Sequence, residues 1–175
     1  AIVWSTETGK QLGLLRHQFE IICLDISNDS RAIATGSSDR TVRLWSIADG
    51  SPSVTASSAQ WIAKLDRKHG KVDFFELNAD GSRLLTRTEK SSSPHLWDAE
   101  SGRLIATLAA HNDIVTRFQF SKDGRQLFTR SEDGSVRIWD AADGKFIASL
   151  DGHAKRIWGI AVRGESSMLV TADTA

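Results

Sequence analysis

Tyrosine is absent from the 175 residues, proline occurs twice, and cysteine and methionine occur once each. A lone Cys23 excludes an intrachain disulfide and a cysteine-based zinc site. It is compatible with a reducing compartment, and a cytoplasmic setting is the expectation. Neither sign of charge is in excess, since 22 Lys and Arg face 22 Asp and Glu. That balance gives no reason to expect nucleic acid or an anionic membrane as the partner. No apolar run approaches the roughly 20 residues that cross a bilayer as a helix. The start, AIVWSTETGK, lacks the basic region and apolar stretch of a signal peptide. It also lacks Met, as if taken from a longer chain. No amphipathic stretch of helical period has useful length, which points to an all-β fold.

Tryptophan, by contrast, occurs six times and recurs at a period. Trp4, Trp45, Trp97 and Trp139 are 41, 52 and 42 residues apart, and each is followed five residues later by glycine. His17, His69, His111 and His153 are 52, 42 and 42 apart, and the first three each precede a repeat Trp by 28. The unit is therefore about 42 residues, with ten extra once. The extra ten, SPSVTASSAQ at 51–60, are uncharged and Ser-rich, and read as an inserted surface loop. Within each unit, short alternating runs such as RFQFS and SVRIW are separated by Asp-Gly turn chemistry, giving four short strands.

Residues 111–140 carry the pattern most fully: a His ahead of the first strand, an Asp-Gly turn, a Ser-x-Asp turn, then VRIWD. This resembles the WD-repeat β-propeller family, and weaker copies cover essentially the whole chain. The resemblance implies four-stranded antiparallel blades, about four per chain. Its frame divides the chain into a half-blade at 1–15, blades at 16–66, 67–108 and 109–150, and a half-blade at 151–175, so that the terminal blade is split between the two ends. It also implies one hydrogen-bonded unit per blade: His17, Ser37, Asp39 and Trp45 in one, and His111, Ser131, Asp133 and Trp139 in another. A third holds His69, Thr88 and Trp97, with Lys90 where Asp is expected, and His153 begins a fourth. Pro94 enters the third strand of the blade at 67–108, which should be the least regular. The neighbouring His95 is expected to face solvent. Arg87 and Arg130 occupy matching positions and are expected to pair with acids on a neighbouring blade.

Ser131, His111 and Asp133 are also the ingredients of a nucleophilic triad. Repetition argues against that reading, because a catalytic centre is needed once and a clamp in every blade. There is no phosphate-binding Gly loop, no paired metal-binding histidines and no identifiable pair of carboxylates in a setting that raises a pKa. No cofactor or metal is expected. The remaining enzyme-class reading is a small ligand in the axial channel. The favoured reading is a non-catalytic scaffold that binds a protein or peptide through the face carrying the His loops and Ser-x-Asp turns. Candidate contact residues are Phe19, Glu20, Ile114, Thr116, Ser38, Glu132, Arg156 and Trp158. Trp and Arg are the types enriched in binding hot spots, and Trp158 lies outside the repeating Trp series. Two chains pairing into an eight-bladed ring, or a piece of a longer propeller, are both preferred to a closed four-bladed ring.

Overall fold

A computed structural model describes residues 1–47, 60–64 (backbone only), 72–89, 92–153, 156–162 and 168–173. His69, Lys90 and residues 51–59 of the expected insertion lie outside the described residues. Gln60 already belongs to a strand.

Strands β1 (Ile2–Trp4) and β2 (Gln11–Leu14) form a two-stranded sheet. Three four-stranded sheets follow. The first holds β3 (Ile21–Ile26), β4 (Ala32–Ser37), β5 (Thr41–Ser46) and β6 (Gln60–Lys64). The second holds β7 (Val72–Leu77), β8 (Arg83–Thr88), β9 (His95–Asp98) and β10 (Leu104–Thr107). The third holds β11 (Val115–Phe120), β12 (Gln126–Ser131), β13 (Val136–Asp140) and β14 (Phe146–Leu150). A second two-stranded sheet, β15 (Ile157–Val162) and β16 (Leu169–Asp173), completes the set. Every pairing is antiparallel between neighbours in sequence, so each sheet is a meander built by local turns. The fold is all-β: partial propeller architecture, three full blades flanked by two half-blades.

The apolar residues alternate along each strand, yet the second strand of a full blade is buried on both faces. Leu127, Phe128 and Thr129 of β12 are all buried in succession, as are Leu84, Leu85 and Thr86 of β8. The core therefore lies between blades. Ala34, Val42 and Leu44 of one blade meet Val72, Phe75 and Leu77 of the next. Leu85, Leu96 and Leu108 in turn meet Val115, Phe118 and Leu127. Each fully buried Leu or Phe contributes about 1.5–3 kcal/mol by leaving water, and every such contribution needs the adjacent blade. Gly36 belongs to the same packing, since a Cβ there would stand 2.9 Å from the Phe75 ring of the next blade.

Pro94 acts as expected from its missing N–H. The β8–β9 ladder stops at Thr86↔His95, whereas β12–β13 continues to Arg130↔Val136. His95 differs from expectation. It is only 6% exposed and stacks at 27° on Trp97, with ring centroids 6.0 Å apart. Its position on the blade is that of Arg43 and Arg137, which are half-buried.

Turns between third and fourth strands also tie blades together. Gly144 has φ +72, and a Cβ there would lie 2.3 Å from Cβ of Ala106 on the preceding blade. Gly9 has nearly the same conformation, φ +66, with nothing within 4 Å. Gly9→Ala should therefore cost about 1 kcal/mol, the conformational term alone. Gly144→Ala should cost about 2–4 kcal/mol because the turn must also move off its neighbour. Urea unfolding of the two variants checks the difference.

Candidate functional site

Three relays of polar groups run beneath one end of the blades, two with a fully buried imidazole and one, at His153, partly exposed. In the third full blade, the Trp139 indole N–H donates to Thr129 Oγ1 at 2.9 Å. Thr129 Oγ1 stands 2.7 Å from His111 Nε2, and His111 Nδ1 stands 2.9 Å from Asp133 Oδ2. A hydroxyl that accepts from the indole donates to Nε2, which leaves the imidazole proton on Nδ1, aimed at the carboxylate. The first full blade repeats this with Trp45, Thr35, His17 and Asp39 at 2.8, 2.7 and 3.3 Å. In the half-blade at 157–173, His153 bridges Thr171 and Asp173 at 2.7 and 2.9 Å. In the second full blade the Trp97 N–H donates to Thr86 at 2.9 Å.

The hydroxyl that joins His to Trp is thus Thr35 or Thr129, two residues before the expected Ser37 or Ser131, and the indole of Trp97 likewise goes to Thr86, two residues before the expected Thr88. Ser131 Oγ instead donates to Asp113 O at 3.0 Å and accepts the Asp133 N–H at 3.1 Å, fastening the turn. Ser37 accepts the Asp39 N–H at 3.2 Å in the same way. Thr88 occupies their register position opposite Val72. It is buried, and its hydroxyl has no hydrogen-bond partner among the described residues. Ser131 Oγ is hydrogen-bonded to Asp113 O and the Asp133 N–H rather than to His111, so no serine triad is assembled. Thr129 does meet His111, but both side chains are sealed from solvent, and the arrangement recurs.

Electrostatics agree with a neutral imidazole. Burial pushes the His111 pKa down, against the hydrogen bond to Asp133 that raises it, and His17 is depressed in the same way. Burial alone would raise the Asp133 carboxyl. Hydrogen bonds from Ser135, the Asn112 N–H and His111 outweigh it and hold the group well below the usual carboxylate range.

Sequence reading missed a second set of acids along the first strands. Asp25 Oδ2 accepts the Leu77 N–H of the next blade at 2.7 Å, and Glu76 Oε1 accepts the Phe120 N–H of the next at 3.1 Å. Equivalent side chains thereby stitch successive inner strands. Burial pushes the Glu76 carboxyl up to about 7, helped by Asp25 and opposed by the Phe120 N–H and Arg117. The two acids border a shallow cleft of about 370 Å³ with Phe74, Arg117 and Gln119. The spacing of acids at matching strand positions was the available signal. Among the described residues, no cluster of His, Cys, Asp and Glu could hold a metal ion.

The loop end above the relays gathers most of the expected contact residues. Every first strand carries a bulge at one place, leaving Ile22, Asp73, Thr116 and Trp158 unpaired against the second strand. Bulges re-aim a side chain. Trp158 is 63% exposed. The Arg156 guanidinium lies over its ring at 5.4 Å from the centroid and also pairs with Glu132 of the adjacent blade. Arg130 donates to Thr116 at 3.0 Å and to the Trp158 carbonyl. Phe19, Glu20 and Ile114 are exposed and Ser38 half-buried, with the Ser38 N–H donating to Glu20 O. Arg87 pairs with Asp73 of its own blade and reaches the carbonyls of Val115 and Thr116 at 2.7 and 2.9 Å. The cross-blade partner of both arginines is hence backbone carbonyl rather than an acid, because the bulge turns those carbonyls toward the preceding blade.

The family model described as WD domain, G-beta repeat matches residues 9–46 and 102–140. Among curated proteins, the Chromatin assembly factor 1 subunit FAS2 homolog of Oryza sativa subsp. japonica is 28% identical over 82% of this chain and 30% of its own length. Coronin-7 of Homo sapiens is 30% identical over 70% of this chain and 13% of its own. The chain thus spans about a third or less of these relatives. Among solved structures, the crystal structure of RRP9 WD40 repeats superposes with a TM-score of 0.67 at 26% identity, covering 91% of this chain and 47% of that one.

Two predictions follow from the buried groups. Thr129→Val keeps the shape but strands the Trp139 N–H and His111 Nε2, and should cost about 2–6 kcal/mol, at about 1–3 kcal/mol per stranded group. Ser131→Ala should cost about 1 kcal/mol, and denaturant midpoints will rank the two. Glu76 is ionised in the unfolded chain above pH 4.5 but protonated in the folded chain until about 7. Its contribution to stability is therefore lost as the pH rises from 4.5 through 7. Glu76→Gln should match the parent near pH 4.5 and exceed it by about 1–3 kcal/mol at pH 8. The histidines act in the opposite sense, below about 6.5, and cancel in this comparison.

Proposed function

We propose that this chain, a member of the WD-repeat β-propeller family, is a non-catalytic scaffold that binds a protein or peptide through the loop end around Arg156 and Trp158. The observation that carries the reading is the exposed Trp158 ring on its bulge, held under a guanidinium that Glu132 positions from the neighbouring blade. An aromatic face and an arginine fixed in advance lose little freedom on binding, which is what makes a hot spot. Relatives support the interaction role by their names: a chromatin assembly factor subunit and a translation initiation factor subunit are parts of assemblies.

Local charge narrows the partner. Burial and the nearby Arg156 and Arg117 depress the Arg130 guanidinium, with Glu132 as the opposing acid. Three arginines around one glutamate favour a ligand that brings a carboxylate beside an apolar side chain. Ligand binding in the inner cleft is the weaker reading, because the Glu76 carboxylate is already engaged by the Phe120 N–H.

Panning the immobilised chain against a displayed peptide library should enrich peptides with Asp or Glu next to an apolar residue. Arg156→Ala and Trp158→Ala should each lower capture at least tenfold while leaving the thermal midpoint within a few degrees. Undiminished capture by both variants would remove the assignment.

A further inference from the structure

We propose that Arg130 anchors a carboxylate of the bound partner, in the place that Asp73 fills on the preceding blade. The inference rests on the loop-end reading above and names its anchor. Arg87 and Arg130 stand at one station of the second strand, opposite Phe74 and Arg117. Each sends its side chain to the first strand of the following blade. Arg87 Nη1 donates to the carbonyls of Val115 and Thr116 at 2.7 and 2.9 Å, and Arg130 Nη1 donates to the Trp158 carbonyl. Beside each guanidinium sits the bulge residue of its own blade, and there the two blades part.

On the second full blade the bulge residue is Asp73. Its carboxylate accepts from Nε and Nη2 of Arg87 in parallel, at 3.1 and 2.6 Å, so all three guanidinium nitrogens have acceptors. On the third full blade the residue is Thr116. Its hydroxyl accepts from Arg130 Nε at 3.0 Å but supplies no charge. Among the described residues, Arg130 Nη2 has no acceptor and no acid pairs with the group. Glu132 is the acid whose field Arg130 feels, yet its carboxylate is paired with Arg156. Burial and the like charges of Arg156 and Arg117 work against the cation, which an added anion would relieve.

A half-buried guanidinium with one edge unfilled favours a planar anion, because charge-assisted bonds to a carboxylate match its fork. The pair on the preceding blade shows which anion the scaffold accepts at this station: a carboxylate on a short side chain, with one oxygen 2.6 Å from Nη2. Arg130 also grips the backbone of Trp158, so its open edge and the exposed indole belong to one surface. An Asp or Glu of the partner can reach Nη2 while the apolar side chain next to it covers the ring. Arg87 is already ion-paired. Of two arginines at matching positions, one therefore holds the fold together and the other is left to recognise a ligand.

Nitrogen-15 spectra of the arginine Nε–H groups read this site directly, with N-acetyl-aspartate methylamide as the probe. Added to the 175-residue chain, it should move the Arg130 signal saturably and leave Arg87 in place, while the asparagine analogue moves neither. Thr116→Asp supplies the missing acid internally and should silence the Arg130 response. Asp73→Thr removes the acid from the other station and should make Arg87 respond. An Arg130 signal that stays still, or that moves in Thr116→Asp as in the parent, overturns the proposal, and so does a silent Arg87 in Asp73→Thr. Against an acidic peptide from the displayed library, Thr116→Asp should lower affinity about tenfold, the worth of one charge-assisted hydrogen bond. It should also erase the difference between that peptide and its Asn or Gln counterpart. Capture that needs Trp158 but ignores Thr116→Asp removes the anchor and leaves the loop-end reading standing. An Arg130 response without Trp158-dependent capture keeps the carboxylate site and removes that reading.

Discussion

A four-stranded blade has two apolar faces and can bury neither by itself. The rest of the structure follows from that constraint. Second strands are apolar on both sides because each lies between two neighbours, and the hydrophobic clusters form between sheets rather than within one. Gly36 and Gly144 are glycines where the adjacent blade comes closest. The half-blades obey the same rule in reverse: residues whose counterparts are buried stand in water where no neighbour covers them.

Apolar contact alone would let blades slide on one another, and polar groups remove that freedom. The relay from indole to threonine to imidazole to carboxylate connects four separate segments of one blade through buried bonds. Each member satisfies another, so the same side chains that would spell a hydrolase in a cleft become a clamp when sealed. Asp25 and Glu76 work across blades instead, each taking the N–H of the last residue in the next blade's first strand. Glu76 is strained electrostatically by doing so, which is the cost of placing a carboxylate where the edge of a strand needs an acceptor.

The proposed contact residues stand where this regularity is locally relaxed. The bulge at the start of every first strand frees one side chain per blade from the ladder, and the chain varies that residue from Ile22 to Asp73, Thr116 and Trp158. Below it the relays hold the loops rigid. A constant buried layer beneath a variable exposed one is how a repeat fold supports partner recognition without altering its core.

The 42-residue period and the four strands per unit were legible in the residues alone, because turn chemistry and strand alternation are local, while the family resemblance supplied the expected stations of His, Asp and Trp. Tertiary structure decided what alternation leaves degenerate. Thr129 and Ser131 lie two apart on one strand and so share a face; only the depth at which Trp139 and His111 converge selects Thr129. His95 reads as a surface histidine, yet its ring is buried and stacks on Trp97. Glu76 reads as an ordinary acid until the next blade removes its water. Partners of Arg87 and Arg130 were out of reach for the same reason: a bulge turns backbone carbonyls toward them, and no pattern of side chains records where a carbonyl points. The sequence by itself determined the repeating blade; contacts between blades determined which of its residues are buried, charged or free to bind.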